Sequence, residues 1–173
     1  MARGNRIAKI AVIFVTIAIA IFLISLKYLM SNMFYSPPDI FLITELTQEV
    51  LSDSQFQRIT SRATRGNRLP DESRNIFACN DYNRDPAYWL VFELPKDKIP
   101  SFVKEITGVE FEKLTDGISS KYSWVNKGPY NSRDGLLGAS YWDLNAVENG
   151  CRFENVNFYC GVDIKRGKIF LCH

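Results

Sequence analysis

The longest apolar stretch of the chain runs without a charge from Ile10 to Leu26, with Arg3, Arg6 and Lys9 before it and Lys27 after it. Counted from Ile7, with the Lys9 stem reaching back to the headgroups, it meets the about 20 apolar residues a helix needs to cross hydrocarbon. Thr16 and Ser25 do not break the run, because their hydroxyls can bond back to the helix. The many Ile and Val are middling helix formers in water, but a backbone in lipid must satisfy itself, and that forces helix. Basic residues dominate the N-terminal flank, which predicts a cytoplasmic N-terminus and an exported remainder. A cleaved signal peptide would have a shorter apolar centre followed by small residues. Here the run is followed by the bulky Tyr28, Leu29 and Met30 and then by Met33, Phe34 and Tyr35. The pattern predicts a cytoplasmic tail over 1–9, a transmembrane signal-anchor helix over 10–30, a juxtamembrane connector over 31–46 stiffened by Pro37 and Pro38, and an extracytoplasmic domain over 47–173.

Within that domain, Val50, Leu51, Phe56 and Ile59 follow a broken helical period, which predicts one or two short helices, the second capped by Ser52 or Asp53. Gly66 to Pro86 is rich in turn formers and reads as loop. Tyr88 to Leu94, aromatic and β-branched without polar alternation, is the clearest strand. Ile99, Phe102, Val103 and Ile106 then share one face of a helix that has Pro100 in its first turn and stops at Gly108. Tyr141 and Trp142 open a further candidate strand. From Cys151 onward the chain reads as a meander. A three-residue loop Lys165-Arg166-Gly167 would set Cys160 opposite Cys172, and a turn at Asn155-Val156 would set Cys151 opposite Cys160.

The whole is an α+β fold: an N-terminal transmembrane helix, then a small disulfide-linked domain with an antiparallel sheet and two or three helices. About 140 residues outside the apolar segment suffice for one compact domain. A net charge of +2, part of it in the N-terminal tail, lacks the basic footprint of a nucleic-acid binder. The absence of an N-x-S/T acceptor favours a bacterial envelope over a eukaryotic surface. All four cysteines, Cys79, Cys151, Cys160 and Cys172, fall on the exported side, and an even count there predicts two disulfides. The leading pairing is Cys160–Cys172 with Cys79–Cys151; the alternative is Cys151–Cys160 with Cys79–Cys172. No C-x-x-C pair exists and His173 is the only histidine, so neither a metal nor another cofactor is expected.

Catalytic signals are sparse. Ser101 and Lys104 match S-x-x-K, but without its companion motifs, so a helix-start serine and a surface lysine are the expectation. His173 is terminal, a poor place for a general base. The acidic pairs Asp81 with Asp85 and Glu110 with Glu112 sit among turns and charged neighbours. Arg58, Arg62, Arg65 and Arg68 would line up if helix persisted, offering a face to solvent or to an anionic partner. Tyr and Trp favour interfaces because each joins a flat apolar face to a polar tip. Trp89 lies in the clearest strand and is expected in the core. Trp124 and Tyr130 flank Gly128-Pro129 in a polar segment, and they are the binding candidates together with Trp142.

These observations predict a non-enzymatic binding protein, single-pass in a bacterial inner membrane with its domain in the periplasm. Its partners are the lipid bilayer, through Ile10 to Leu26, and another envelope protein, in an immunity, inhibitory or accessory role. A peptidoglycan- or glycan-binding module using the same aromatics is the alternative, ahead of a carboxylate-dependent enzyme.

Overall fold

The computed structural model describes residues 16–27, 39–81, 87–131, 135–136 and 141–173. The chain forms two compact units, Met1–Pro37 and Pro38–His173. In the first, helix α1 covers 16–27 with exposed side chains. At 1.5 Å per residue these twelve described residues extend roughly 18 Å, against about 30 Å of hydrocarbon. Among the described residues no helix is long and apolar enough to cross a membrane. The expected transmembrane helix over 10–30 and the single-pass inner-membrane placement are corrected accordingly. Residues 10–15 and 28–38 of the expected span and connector lie outside the described residues.

The second unit is built on one antiparallel sheet of seven strands in the order β1-β2-β3-β9-β8-β7-β4. The strands are β1 (Ile40–Glu45), β2 (Arg74–Asp81), β3 (Ala87–Glu93), β4 (Thr115–Asp116), β7 (Gly150–Asn155), β8 (Phe158–Asp163) and β9 (Lys168–Cys172), with β5 (Tyr130–Asn131) and β6 (Gly135–Leu136) pairing separately. The helices are α2 (Gln48–Ser52), α3 (Ser54–Ala63), α4 (Ile99–Thr107) and α5 (Ser123–Lys127). These are four among the described residues of the domain, against the two or three expected there, and α1 is a fifth.

Strand alternation explains the layering. Ile76, Ala78, Leu90, Phe92, Cys160, Val162, Ile169 and Leu171 point to one face, where Phe56, Ile59 and Ala63 of α3 and Ile99, Phe102, Val103 and Ile106 of α4 cover them. Their neighbours in sequence, Phe77, Cys79, Trp89, Val91, Tyr159, Phe170 and Cys172, point to the other face, under an aromatic layer from 118–147. Asp53 caps α3, accepting from the amides of Gln55 (2.8 Å) and Phe56 (2.9 Å). Pro100 stands in the first turn of α4, and Gly108 ends it with φ 74°.

Three local expectations change. β1 occupies the expected connector, and β2 occupies part of the expected loop. Tyr141 and Trp142 lie in a turn rather than a strand. The β8–β9 register pairs Asp163 with Lys168, Gly161 with Phe170 and Cys160 with Leu171. The connection is therefore four residues, Ile164 to Gly167, and a slip of one residue turns a strand's side chains to the opposite face.

That slip accounts for the disulfides as well. The four buried cysteines are thiols, and no disulfide joins them. Cys160 and Cys172 lie on opposite faces, as do Cys79 and Cys151, which rules out the leading pairing. Cys79 and Cys172 share a face but flank Trp89, each being its register partner. Two strand spacings, roughly 9.5 Å, separate them, beyond disulfide reach. Cys151 is opposite Val162 and Cys160 opposite Phe153, a diagonal relation across β7 and β8. Burial pushes the Cys151 thiol up to about 11 and raises those of Cys160 and Cys172. This suits packing groups rather than nucleophiles.

Candidate functional site

The aromatic layer is organised around Trp89 of β3. Trp142 meets it edge to face at 4.7 Å and Trp124 at 5.8 Å. Trp142 also packs on Phe170 (5.6 Å) and Tyr159 (6.1 Å), and Tyr141 stacks on Phe77 at 5.2 Å. Trp142 is 3% exposed, and its indole donates to the Val125 carbonyl at 2.7 Å. That bond holds α5 on the layer. Gly128 follows α5 with φ 75°, and a Cβ there would come within 2.6 Å of the Trp142 ring, so both conformation and space demand glycine. The structure thus places Trp142, one of the three contact candidates, in the core.

Trp124 differs. It is 41% exposed, and its neighbour Tyr122 lies 6.3 Å away. The Lys121 ammonium sits 5.0 Å from the centre of the Tyr122 ring. Lys121, Tyr122 and Trp124 form a short ledge beside the closed aromatic layer. The Tyr130 backbone pairs with Leu136, while its side chain lies outside the described residues. The Trp89 indole nitrogen is buried without a hydrogen-bond partner.

A polar clamp that the sequence reading missed fixes the ledge. The Ser120 amide donates to the Asn126 side chain (2.7 Å), and the Asn126 amide group donates back to the Ser120 carbonyl (2.8 Å). The Ser120 hydroxyl donates to Glu154 (2.6 Å) and accepts from the Tyr122 amide (3.0 Å). The Lys121 amide also reaches Glu154 (3.3 Å), and Arg152 lies 3.5 Å from the same carboxylate. Arg152 donates further to the carbonyls of Asp116 and Gly117, each at 3.0 Å. The available signal was the spacing of Arg152 and Glu154: two residues apart in a strand, they share a face.

Burial alone would raise the Glu154 pKa, but the Ser120 hydroxyl, the Lys121 amide and the Arg152 charge outweigh it and hold the carboxyl below its ordinary value. A carboxyl depressed in the folded state adds stability above its unfolded pKa, about 4.3, and loses that contribution as pH falls through the lower folded value. Glu154→Gln is therefore expected to lower the melting temperature at pH 7, with the gap to the parent chain narrowing below about pH 4. Melting curves that stay parallel across that range would refute the assignment.

The other candidates are not brought together. The Ser101 hydroxyl donates to the Lys98 carbonyl (2.9 Å), whereas Lys104 pairs with Glu110 (2.7 Å). Glu112 is exposed, and Asp85 and the Asp81 side chain lie outside the described residues. His173 exchanges backbone hydrogen bonds with Tyr88 (2.9 and 3.1 Å). Burial, together with Arg65 and Arg62, lowers its pKa. The arginines diverge: Arg58 pairs with Asp39 (3.0 Å) and Arg68 with Asp71 (2.8 Å), while Arg65 reaches the Ile106 carbonyl (3.2 Å) and lies over the Phe158 ring (5.3 Å). An open depression of about 530 Å³ on the helical side is lined by Leu51, Phe56, Gln57, Thr60, Asn67 and Leu69 among others. Among the described residues no group of three or more His, Cys, Asp or Glu is placed to hold a metal. No protein-family model matches the chain, and no curated protein or solved structure matches it either.

Proposed function

We propose that the chain is a non-catalytic binding protein whose contact surface is the Lys121, Tyr122 and Trp124 ledge and whose partner is another protein. One observation carries this reading: of the three tryptophans, only Trp124 is substantially exposed, in α5, whose lead-in segment is fixed by Glu154 and Asn126. A rigid, half-exposed indole beside a cation is what interface anchors look like, since little side-chain entropy remains to be lost on binding. The arrangement favours protein over glycan, because the Lys121 ammonium lies over the Tyr122 ring and leaves Trp124 as the one open platform in the ledge.

A photo-crosslinking residue at Ser123, beside Trp124, is expected to give a discrete protein adduct in the native host. Trp124→Ala should abolish it, and the same probe at Val156, a 75% exposed turn residue, should give none. Identical adducts from both positions, or none from Ser123, would sink the reading. Saturable quenching of tryptophan emission by soluble wall glycans, lost in Trp124→Ala, would reassign the ledge to sugar.

A further inference from the structure

The two edges of the sheet are unequal. β4 closes one edge with two residues, whereas β1 presents six on the other. Sheet edges are ordinarily blunted by lysine, proline, a bulge or shortness. β1 has no lysine, arginine or proline, and its Ile40 and Leu42 side chains are 44% and 59% exposed. Among the described residues β1 pairs only with β2.

The direction of its backbone groups follows from one bond. The Asn80 amide donates to the Asp39 carbonyl at 3.3 Å, and the register continues as Phe41 with Ala78 and Ile43 with Ile76. Antiparallel ladders alternate bonded and non-bonded positions. Asp39, Phe41 and Ile43 therefore turn their backbone groups toward β2, and Ile40, Leu42 and Thr44 turn theirs outward.

This outward set is symmetric about Leu42. We infer that β1 is a self-association edge, pairing antiparallel with β1 of a second copy about a two-fold axis at Leu42. In that register Leu42 faces Leu42 of the second copy and Ile40 faces its Thr44, so every outward N–H and C=O meets a complementary group. Facing side chains are apolar or threonine, and no charge is set against β1 between Ile40 and Thr44. Glu45 of the second copy falls opposite Asp39, whose carboxylate is already held by Arg58 (3.0 Å) and by the Asn80 amide group (2.9 Å). An isologous contact of this kind closes on itself as a dimer. It uses an edge different from the Trp124 ledge and stands without the reading given above.

Sedimentation equilibrium of the full chain tests it. The parent chain should show a concentration-dependent dimer, and Leu42→Lys should give about a twofold drop in mass by placing two ammonium groups face to face. Thr44→Pro should do the same without added charge, because it removes an outward N–H and leaves the β2 side intact. Leu42→Cys should form a linked dimer under mild oxidation, since bonded antiparallel partners lie about 5.5 Å apart at Cα. Ile40→Cys should not, because Ile40 and its counterpart are about 14 Å apart in this register. The parent chain, with its four buried thiols, supplies the background. A monomeric parent chain, a mass that Leu42→Lys and Thr44→Pro leave unchanged, or linkage at Ile40 equal to that at Leu42 would each overturn the proposal.

Discussion

Trp142→Ala is expected to remove about 4 kcal/mol of folding stability, whereas Trp124→Ala removes less than about 1 kcal/mol. Trp142 sits among Trp89, Tyr159 and Phe170 at 4.7, 6.1 and 5.6 Å, and deleting its ring leaves a cavity that these rigid rings cannot collapse to fill. The Val125 carbonyl would also lose its indole donor, found at 2.7 Å, and an unsatisfied buried carbonyl costs on the order of 1–3 kcal/mol. A domain of this size has roughly 5–15 kcal/mol in total, so the loss would be visible as a large shift of the urea midpoint. Trp124 has solvent on one side, and its removal opens no closed cavity. Equal midpoint shifts for the two variants would contradict the division into one core indole and one contact indole. That division is also what lets Trp124→Ala report on binding, since the fold would survive it.

The sequence distinguished these two tryptophans poorly, for a definite reason. Local pattern identifies elements that carry their own signal. The run from Tyr88 to Leu94 and the helix face of Ile99, Phe102, Val103 and Ile106 were legible because burial follows directly from spacing there. The cap of α3 was legible as far as Ser52 or Asp53, because the chemistry is local. The aromatic layer has no such period. Trp142 reaches the core from a turn, and Val125 from a five-residue helix, so their burial depends on which loop lies over which strand. β1 and β2 were missed because Asp39, Glu45, Arg74 and Asp81 flank short apolar stretches, which read as connector and loop. The cysteines show how a small error spreads. Shortening the β8–β9 connection by one residue puts Cys160 and Cys172 on one face and suggests a disulfide; the observed register puts them on opposite faces. The ledge was half legible. Trp124 stood out, while Glu154 and Asn126, which hold it, are distant or ordinary in sequence.

Gly161→Ala is the second substitution with a large expected effect, about 3 kcal/mol of lost stability. Glycine inside a central strand weakens it unless something occupies the space above. Here that is Tyr159, two residues earlier on the same face, whose hydroxyl donates to the Ile118 carbonyl. A Cβ on Gly161 would lie 2.5 Å from the Tyr159 hydroxyl and 2.9 Å from Ile118. Both neighbours are buried, so relief requires the phenol to move off its acceptor. Tyr159→Phe alone should cost on the order of 1–2 kcal/mol, because the Ile118 carbonyl loses its donor. In the double variant the alanine methyl meets a ring edge without the hydroxyl, and the hydrogen bond has already been lost. The two losses should then combine to less than their sum by about 1 kcal/mol or more, the behaviour of residues that share a contact. Strict additivity in urea denaturation would mean that the glycine is required for some other reason, such as backbone freedom. Coupling would establish that Tyr159 and Gly161 form one packing unit, tying β8 to the segment that leads into α5 and Trp124.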